Sequence, residues 1–323
     1  MVPSASRLVT YSPAYTVVPT YECFNRCGYC NFRTEPGESP WLTLEAAAAV
    51  LKPLQAQGVI EILILSGEVH PHSPRRKDWF QRIYDLCELG LSMGLLPHTN
   101  AGPLSFTEMA QLKAVNVSLG LMLEQVTPNL RQTVHRHAPS KIPETRLQQL
   151  SWAGELQIPF TTGLLLGIGE TEADWVQTLV AIAQLHQRWG HIQEVILQPY
   201  SPGTQEPLAT SGFPGSKLLQ VIAIARQILP LDITLQIPPN LIESSERLIA
   251  CLAAGARDLG GISPRDHVNP DYPHAHDQRL AQRLAQAGWQ LVPRLPVYPQ
   301  YDTWLSPNLQ ASVQQWRQFL ASM

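Results

Sequence analysis

Long apolar runs are missing from this chain. No stretch approaches the roughly 20 consecutive apolar residues that a membrane-spanning helix needs. The N-terminus, MVPSASRLVTYSP, has no apolar core of the kind a secretory leader carries. Neither a membrane protein nor a secreted one is expected, and the cytoplasm is the expected compartment. Cysteine is scarce: there are five in 323 residues. Three of them crowd into one short stretch, which is no disulfide framework and suits a reducing environment. Excess basic charge is absent too. The net charge is −3 and the pI is near 6.4, so no nucleic-acid footprint is visible. Arg75, Arg76 and Lys77 are adjacent, but they read as the solvated start of a helix. No low-complexity linker interrupts the chain, because its 28 prolines and 20 glycines are spread out and mark turns.

What is present is organised around PTYECFNRCGYCNFR, Pro19 to Arg33. Cys23, Cys27 and Cys30 form C-x3-C-x2-C, with Tyr29 just before the third. A loop this short can aim three thiolates at one centre. Tetrahedral zinc usually takes four protein ligands. A four-iron cluster likewise takes four, usually all cysteine. Three thiolates leave one iron open, and an open metal position is where a substrate binds. The alternative is a zinc knuckle in a binding module, with one of the ten histidines as a remote fourth ligand; after Cys30 the next histidine is His70.

Strand-like runs alternate with helical patterns along the rest of the chain, the signature of βαβ units. The expected strands are Tyr15–Tyr21, Val59–Leu65, Leu95–Thr99, Val115–Leu121, Phe160–Leu166, Glu194–Gln198, Ile233–Ile237 and Ala256–Ile262. Expected helices include Thr43–Gln57 with a kink at Pro53, Asp78–Met93, Glu172–Gln187 behind a capping box at Thr171 and Asp174, Lys217–Leu229, Leu241–Ala253 and Gln278–Ala287. Eight such repeats predict a (β/α)8 barrel spanning residues 1–323 as a single domain. Residues 1–14 are then a lead-in and about 290–323 a C-terminal extension. Chemistry in such barrels gathers at the C-terminal strand ends. The expected rim therefore holds the cysteine loop, Ser66-Gly67-Glu68, His98 and Asn100, Glu124, Gly167 to Glu170, Tyr200, and Asp266, His267 and Asn269. Cys87 and Cys251 sit on apolar helical stripes and read as core, and His70 and His72 read as solvated.

The cysteine spacing, with the aromatic before the last cysteine, resembles the radical S-adenosylmethionine (SAM) enzymes. The resemblance implies a 4Fe–4S cluster on Cys23, Cys27 and Cys30, with SAM chelating the fourth iron, and a barrel whose cluster loop follows strand one. It implies SAM contacts from Tyr29, from Ser66, Gly67 and Glu68 (matching a glycine-glycine-glutamate element), from Glu124 and Arg146, and from Gly167. An ordinary helix-surface charge pair is the plain alternative for Glu124 and Arg146, and a turn for the Gly167 segment. A biotin-synthase-like relative acting on another substrate fits those features as well.

Longer phrases narrow the resemblance. TYSPAYTVVPTYECFNRCGYCNFRTEPG, SGEVHP, VSLGLMLE with HRHAPSK, GLLLGIGET and GGISPRDHVNP are similar to the small subunits of the deazaflavin-synthase family, over essentially the whole chain. That resemblance implies a radical SAM carbon–nitrogen lyase. Its substrate would be 5-amino-5-(4-hydroxybenzyl)-6-(D-ribitylimino)-5,6-dihydrouracil, delivered by a sister radical SAM subunit, and a one-electron donor would be required. Tyr11, Asn100, Tyr200 and Asn269 are the candidate substrate contacts. His98, Asp266 and His267 are candidates for the general base that such a ring closure needs.

Overall fold

Eight parallel strands close on themselves. In the computed structural model, which describes residues 7–205, 208, 211–263, 265–274 and 277–322, β1 (Arg7–Val17), β2 (Glu61–Leu65), β3 (Leu96–Asn100), β4 (Ser118–Gly120), β5 (Phe160–Leu166), β6 (Ile192–Pro199), β7 (Thr234–Gln236) and β8 (Asp258–Ile262) pair in sequence order. The ring is sealed where Ala14–Val17 of β1 meets Glu61–Ile64 of β2. Helices follow the strands in turn: α1 (Leu44–Leu51), α2 (Arg76–Ser92), α3 (Phe106–Leu112), α4 (Pro143–Glu155), α5 (Glu172–Trp189), α6 (Gly215–Ile228), α7 (Ser245–Ala254) and α8 (Asp277–Gln286). This is the expected (β/α)8 barrel.

The side-chain period of two explains how one strand serves two layers. In β2, Ile62 and Ile64 are fully buried under the helices, while Leu63 and Leu65 are half-buried and line the interior. The helices start where capping chemistry allows. Thr43 accepts from the Ala46 amide at the head of α1, and Thr171 and Asp174 form a reciprocal capping box on α5.

Three departures from expectation have physical causes. The strand β1 begins at Arg7, so residues 7–14 belong to the barrel and are not a lead-in; residues 1–6 lie outside the described residues. The first helix ends at Leu51 and does not kink at Pro53, since a proline there removes a backbone donor and its ring collides with the preceding turn. The C-terminal region contributes elements of its own. β9 (Trp289–Pro293) runs parallel to the first half of β1, Arg7–Tyr11. Beyond it, Leu295, Val297, Tyr301 and Leu305, with Leu309 and Val313 of α9 (Pro307–Ala321), bury against Ile60, Leu96 and Val117. These three sit at the beginnings of β2, β3 and β4, so the extension plugs the floor of the barrel.

Just above that plug the interior is charged. Arg294 pairs with Asp258 through two bonds, 2.6 and 2.8 Å, and also touches Glu194. Glu61 is buried nearby. Burial, with Asp258 and Glu61 as neighbours, pushes the Glu194 carboxyl up to about 7 against the pull of Arg294.

Candidate active site at the strand tips

The cysteine loop leaves the top of β1 and is held by backbone bonds to two other segments. Gly67 N donates to Thr20 O (2.8 Å) and Phe24 N to Glu68 O (3.0 Å). Arg26 N donates to His137 O and Gly28 N to Val134 O, both 2.8 Å. Glu22, nearly fully buried, accepts from the Gly37 amide, the Trp41 indole and Arg75. A carboxylate there collects the orphan donors of the 35–41 turn, so the loop is shaped by the protein itself. All three thiols line one cavity of about 310 Å³ at the C-terminal strand ends. Burial first, and Glu68 second, pushes the Cys23 thiol up to about 11; burial pushes Cys27 up to about 12 against the pull of Lys141.

The opposite wall carries charged groups that are paired and buried. Arg146 is 2% exposed. Its guanidinium donates to Ser140 O, Met122 O and Glu68 Oε1 (3.1, 2.5 and 3.2 Å). The other oxygen of Glu68 accepts from Asn25 Nδ2 at 2.8 Å, and Asn25 Oδ1 accepts from the Ser140 amide. Asn25 thus ties the cysteine loop to the strand-two tip and to the α4 approach. Glu124, in the left-handed backbone region at φ 64°, pairs with Lys141 Nζ at 2.5 Å. Burial alone would raise the Glu124 carboxyl; Lys141 and Arg146 outweigh it and hold it low.

Glu124 and Arg146 are therefore neither a surface pair nor partners of each other: Arg146 binds Glu68, and Glu124 binds Lys141. Asn25 and Lys141 escaped the sequence reading. Lys141 stands in the HRHAPSK phrase, which was the available signal. Tyr29 lines the cavity with its hydroxyl 2.9 Å from His135 Nε2. Ser66 spends its hydroxyl on the Gly67 carbonyl and the Trp79 indole. A Cβ on Gly67 would lie 2.2 Å from the Glu22 carbonyl oxygen, so glycine is required here by loop-on-strand packing.

Other expected rim residues lie elsewhere. Gly167 is not among the residues lining the cysteine cavity; its amide and that of Ile168 are held by the Glu170 carboxylate at the α5 entry. Tyr11 sits where β1 pairs with β9, away from the strand tips, because the strand starts earlier than expected. His98 is a buried residue of the barrel interior, below the rim. Asp266 spends its carboxylate on the Val268 and Asn269 amides and on Asn240, which shapes the loop after β8. His267 faces a side chamber of about 120 Å³ and meets Tyr21 OH through Nδ1 at 2.7 Å. Asn100, Tyr200 and Asn269 do line the main cavity. Cys87 and Cys251 are core, and His70 and His72 are exposed.

The Radical SAM superfamily matches residues 17–182. A Trichormus variabilis protein named 7,8-didemethyl-8-hydroxy-5-deazariboflavin synthase is 68% identical over 313 residues, 97% of this chain and 92% of its own. The Synechococcus elongatus protein of the same name is 61% identical, over 97% of this chain and 94% of its own. The chain belongs to the radical SAM superfamily and to its deazaflavin-synthase family. Solved structures agree on the fold. HydG, a maturase of the FeFe-hydrogenase, superposes with a TM-score of 0.76 at 14% identity, covering 96% of this chain and 69% of HydG. Methylornithine synthase gives 0.66 at 16% identity, covering 90% of this chain and 84% of that one.

The donor set fits what the radical SAM superfamily implies, a 4Fe–4S cluster and SAM. Among the described residues no three His, Cys, Asp or Glu side chains gather closely enough to share one metal ion. Cys23, Cys27 and Cys30 line one cavity, and three thiolates would leave the fourth iron of such a cluster open. Among the described residues no helix is long and apolar enough to cross a membrane.

Proposed function

We propose that the protein catalyses the radical SAM step that converts 5-amino-5-(4-hydroxybenzyl)-6-(D-ribitylimino)-5,6-dihydrouracil into 7,8-didemethyl-8-hydroxy-5-deazariboflavin, with ammonia, methionine and 5′-deoxyadenosine as the other products. The observation that carries the reading is the gathering of three thiols and a buried, fully paired charge network around one cavity, in a chain more than 60% identical to synthases of that name. Cys23, Cys27 and Cys30 would hold the cluster. When bound, the cluster and SAM supply a 5′-deoxyadenosyl radical that takes a hydrogen atom from the substrate.

The chain's own residues bind and orient. Glu68 accepts from an amino group, and Arg146, fixed by two carbonyls, presents its remaining donor face to a carboxylate. Lys141 and Glu124 complete a wall with two charges of each sign, suited to a zwitterionic amino acid. Tyr29 closes the cavity beside Leu165 and Tyr200. The loops after β6 and β8 each bond to the cysteine loop. Asn31 in the cysteine loop accepts from the Gln205 amide and donates to Asp271. On this reading a sister radical SAM subunit supplies the adduct, a one-electron donor reduces the cluster, and the reaction takes place in the cytoplasm.

The test is an anaerobic assay of reconstituted protein with the dihydrouracil adduct, SAM and a reductant. Fluorescent deazaflavin in step with 5′-deoxyadenosine is the expected result. A full cluster that cleaves SAM yet forms no deazaflavin would remove the substrate assignment.

A further inference from the structure

Beneath the cysteine-lined cavity the barrel interior opens into a second chamber of about 160 Å³. Leu63, Asn100, Met122 and Ile196 wall both spaces, so they are contiguous. The upper junction is largely apolar. The lower chamber is not: Glu61, His98, Thr161, Gln236 and Arg294 face it.

The hydrogen at His98 can be assigned from its neighbour. The Ser118 hydroxyl gives its one proton to the Pro296 carbonyl at 2.6 Å. It must therefore accept from His98 Nδ1, also 2.6 Å away. Nδ1 carries the proton, and burial holds the ring neutral, with its pKa down to about 3. Nε2 is left as a lone pair with no hydrogen-bond partner among the described residues. The space before it is kept open by Gly120, where a Cβ would lie 2.8 Å from Nε2. The side-chain amides of Asn100 and Gln236 also make no hydrogen bond to the described residues. Polar groups without a protein partner thus line the chamber, so it is suited to a polar ligand. The chamber's charge says which kind. Three carboxyls, Glu61, Glu194 and Asp258, stand around one guanidinium, Arg294, and this balance repels an anion.

We propose that this chamber is the subsite for the uncharged ribityl chain of the substrate, with His98 Nε2, Asn100 and Gln236 as its hydrogen-bonding contacts and the carboxyl cluster excluding a phosphorylated chain. The inference rests on the deazaflavin-forming reading above. It orients the substrate: the polyol points down the barrel axis, the pyrimidine and phenol occupy the apolar junction, and the reacting carbon faces the cysteines. It also gives His98 a role in recognition, distinct from the rim base expected from sequence.

The test compares three substrates on the reconstituted protein: the ribityl adduct, its counterpart with an unsubstituted pentyl chain, and the ribityl 5′-phosphate. Wild type should favour the ribityl adduct over both by at least about tenfold in kcat/KM. Each of His98→Leu and Gln236→Leu should raise KM for the ribityl adduct about tenfold, as loss of one good hydrogen bond does. Neither should change KM for the pentyl counterpart or SAM cleavage without substrate, and melting temperatures would confirm folding. KM values that move together for ribityl and pentyl substrates, or a ribityl KM unmoved in a folded variant, would overturn the subsite. If wild type forms no deazaflavin at all, the functional reading fails separately. The chamber is then judged by direct binding of a 6-(D-ribitylamino)uracil against its 6-pentylamino counterpart: a preference lost in Gln236→Leu supports it, and equal binding overturns it.

Discussion

Replacing Lys141 by Met isolates the charge arrangement of the cavity wall. In the native protein Nζ of Lys141 lies 2.5 Å from Glu124 Oε1, and the two side chains are only 12% and 7% exposed. The substitution keeps the volume and the apolar stem but strands a carboxylate. Breaking a buried pair from one side costs about 3–5 kcal/mol, because the remaining charge has no partner. Here both groups border a cavity that water can fill, and Arg146 still acts on Glu124. The lower end therefore applies, about 3 kcal/mol. For a chain of this size that is a fall of about 4 °C in Tm. Adding Glu124→Gln removes the stranded charge, so the double variant should recover most of the loss. Scanning fluorimetry of the apoprotein under anaerobic conditions reads all three. A Lys141→Met protein that melts within about 1 °C of wild type, or a double variant no better than the single, would refute the pairing scheme. SAM binding by the same proteins separates function from stability: the double variant should stay folded and still bind SAM more weakly.

Cys27→Ala should leave the apoprotein folded but abolish the brown colour of the reconstituted cluster and all 5′-deoxyadenosine formation, because a thiolate ligand has no replacement there. Gly67→Ala should cost about 3 kcal/mol or more in denaturant unfolding, since its new Cβ meets backbone at 2.2 and 2.7 Å and backbone cannot swing aside. A pH series on Glu194→Gln tests the buried carboxyl cluster. The Glu194 pKa is raised to about 7 from 4.5, so its contribution to stability is full below pH 4.5 and is lost as pH rises through 7. The variant lacks that loss and should gain Tm relative to wild type as pH rises from 4.5 to about 7, with a constant difference above that; parallel curves across this window would contradict the assignment.

The barrel was legible because its evidence is periodic. Runs such as VIEILIL and FTTGLLL can be covered only on both faces, and helical stripes between them leave little choice of topology. The cysteine loop was legible because three ligands fall within one short stretch. What could not be read depends on distances across the chain. Glu124 and Arg146 look like a pair in sequence, but Glu124 adopts φ 64° and turns to Lys141, while Arg146 reaches Glu68 78 positions away. Asn25 looks like a loop asparagine until Glu68 and Ser140 are seen on either side of its amide. The early start of β1 was hidden because its partner, β9, lies more than 270 residues further on.

The two levels of the barrel differ in how their polar groups are prepared, and the difference follows from what each is proposed to hold. In the upper cavity Glu68, Glu124, Arg146 and Lys141 are satisfied before any ligand arrives. Their positions are fixed and their charges balance, so the zwitterionic amino-acid end of SAM can enter without leaving an ion stranded. In the lower chamber the charged groups serve one another, and the groups left over are neutral acceptors and amides: His98 Nε2, Asn100 and Gln236. A hydroxyl chain can satisfy these neutral groups, whereas an anion finds carboxyls. The floor plug supports both levels, because Arg294 and Pro296, which place Asp258, Glu194 and Ser118, belong to the C-terminal segment. The segment that seals the barrel from below is thus the one that sets the proton of His98.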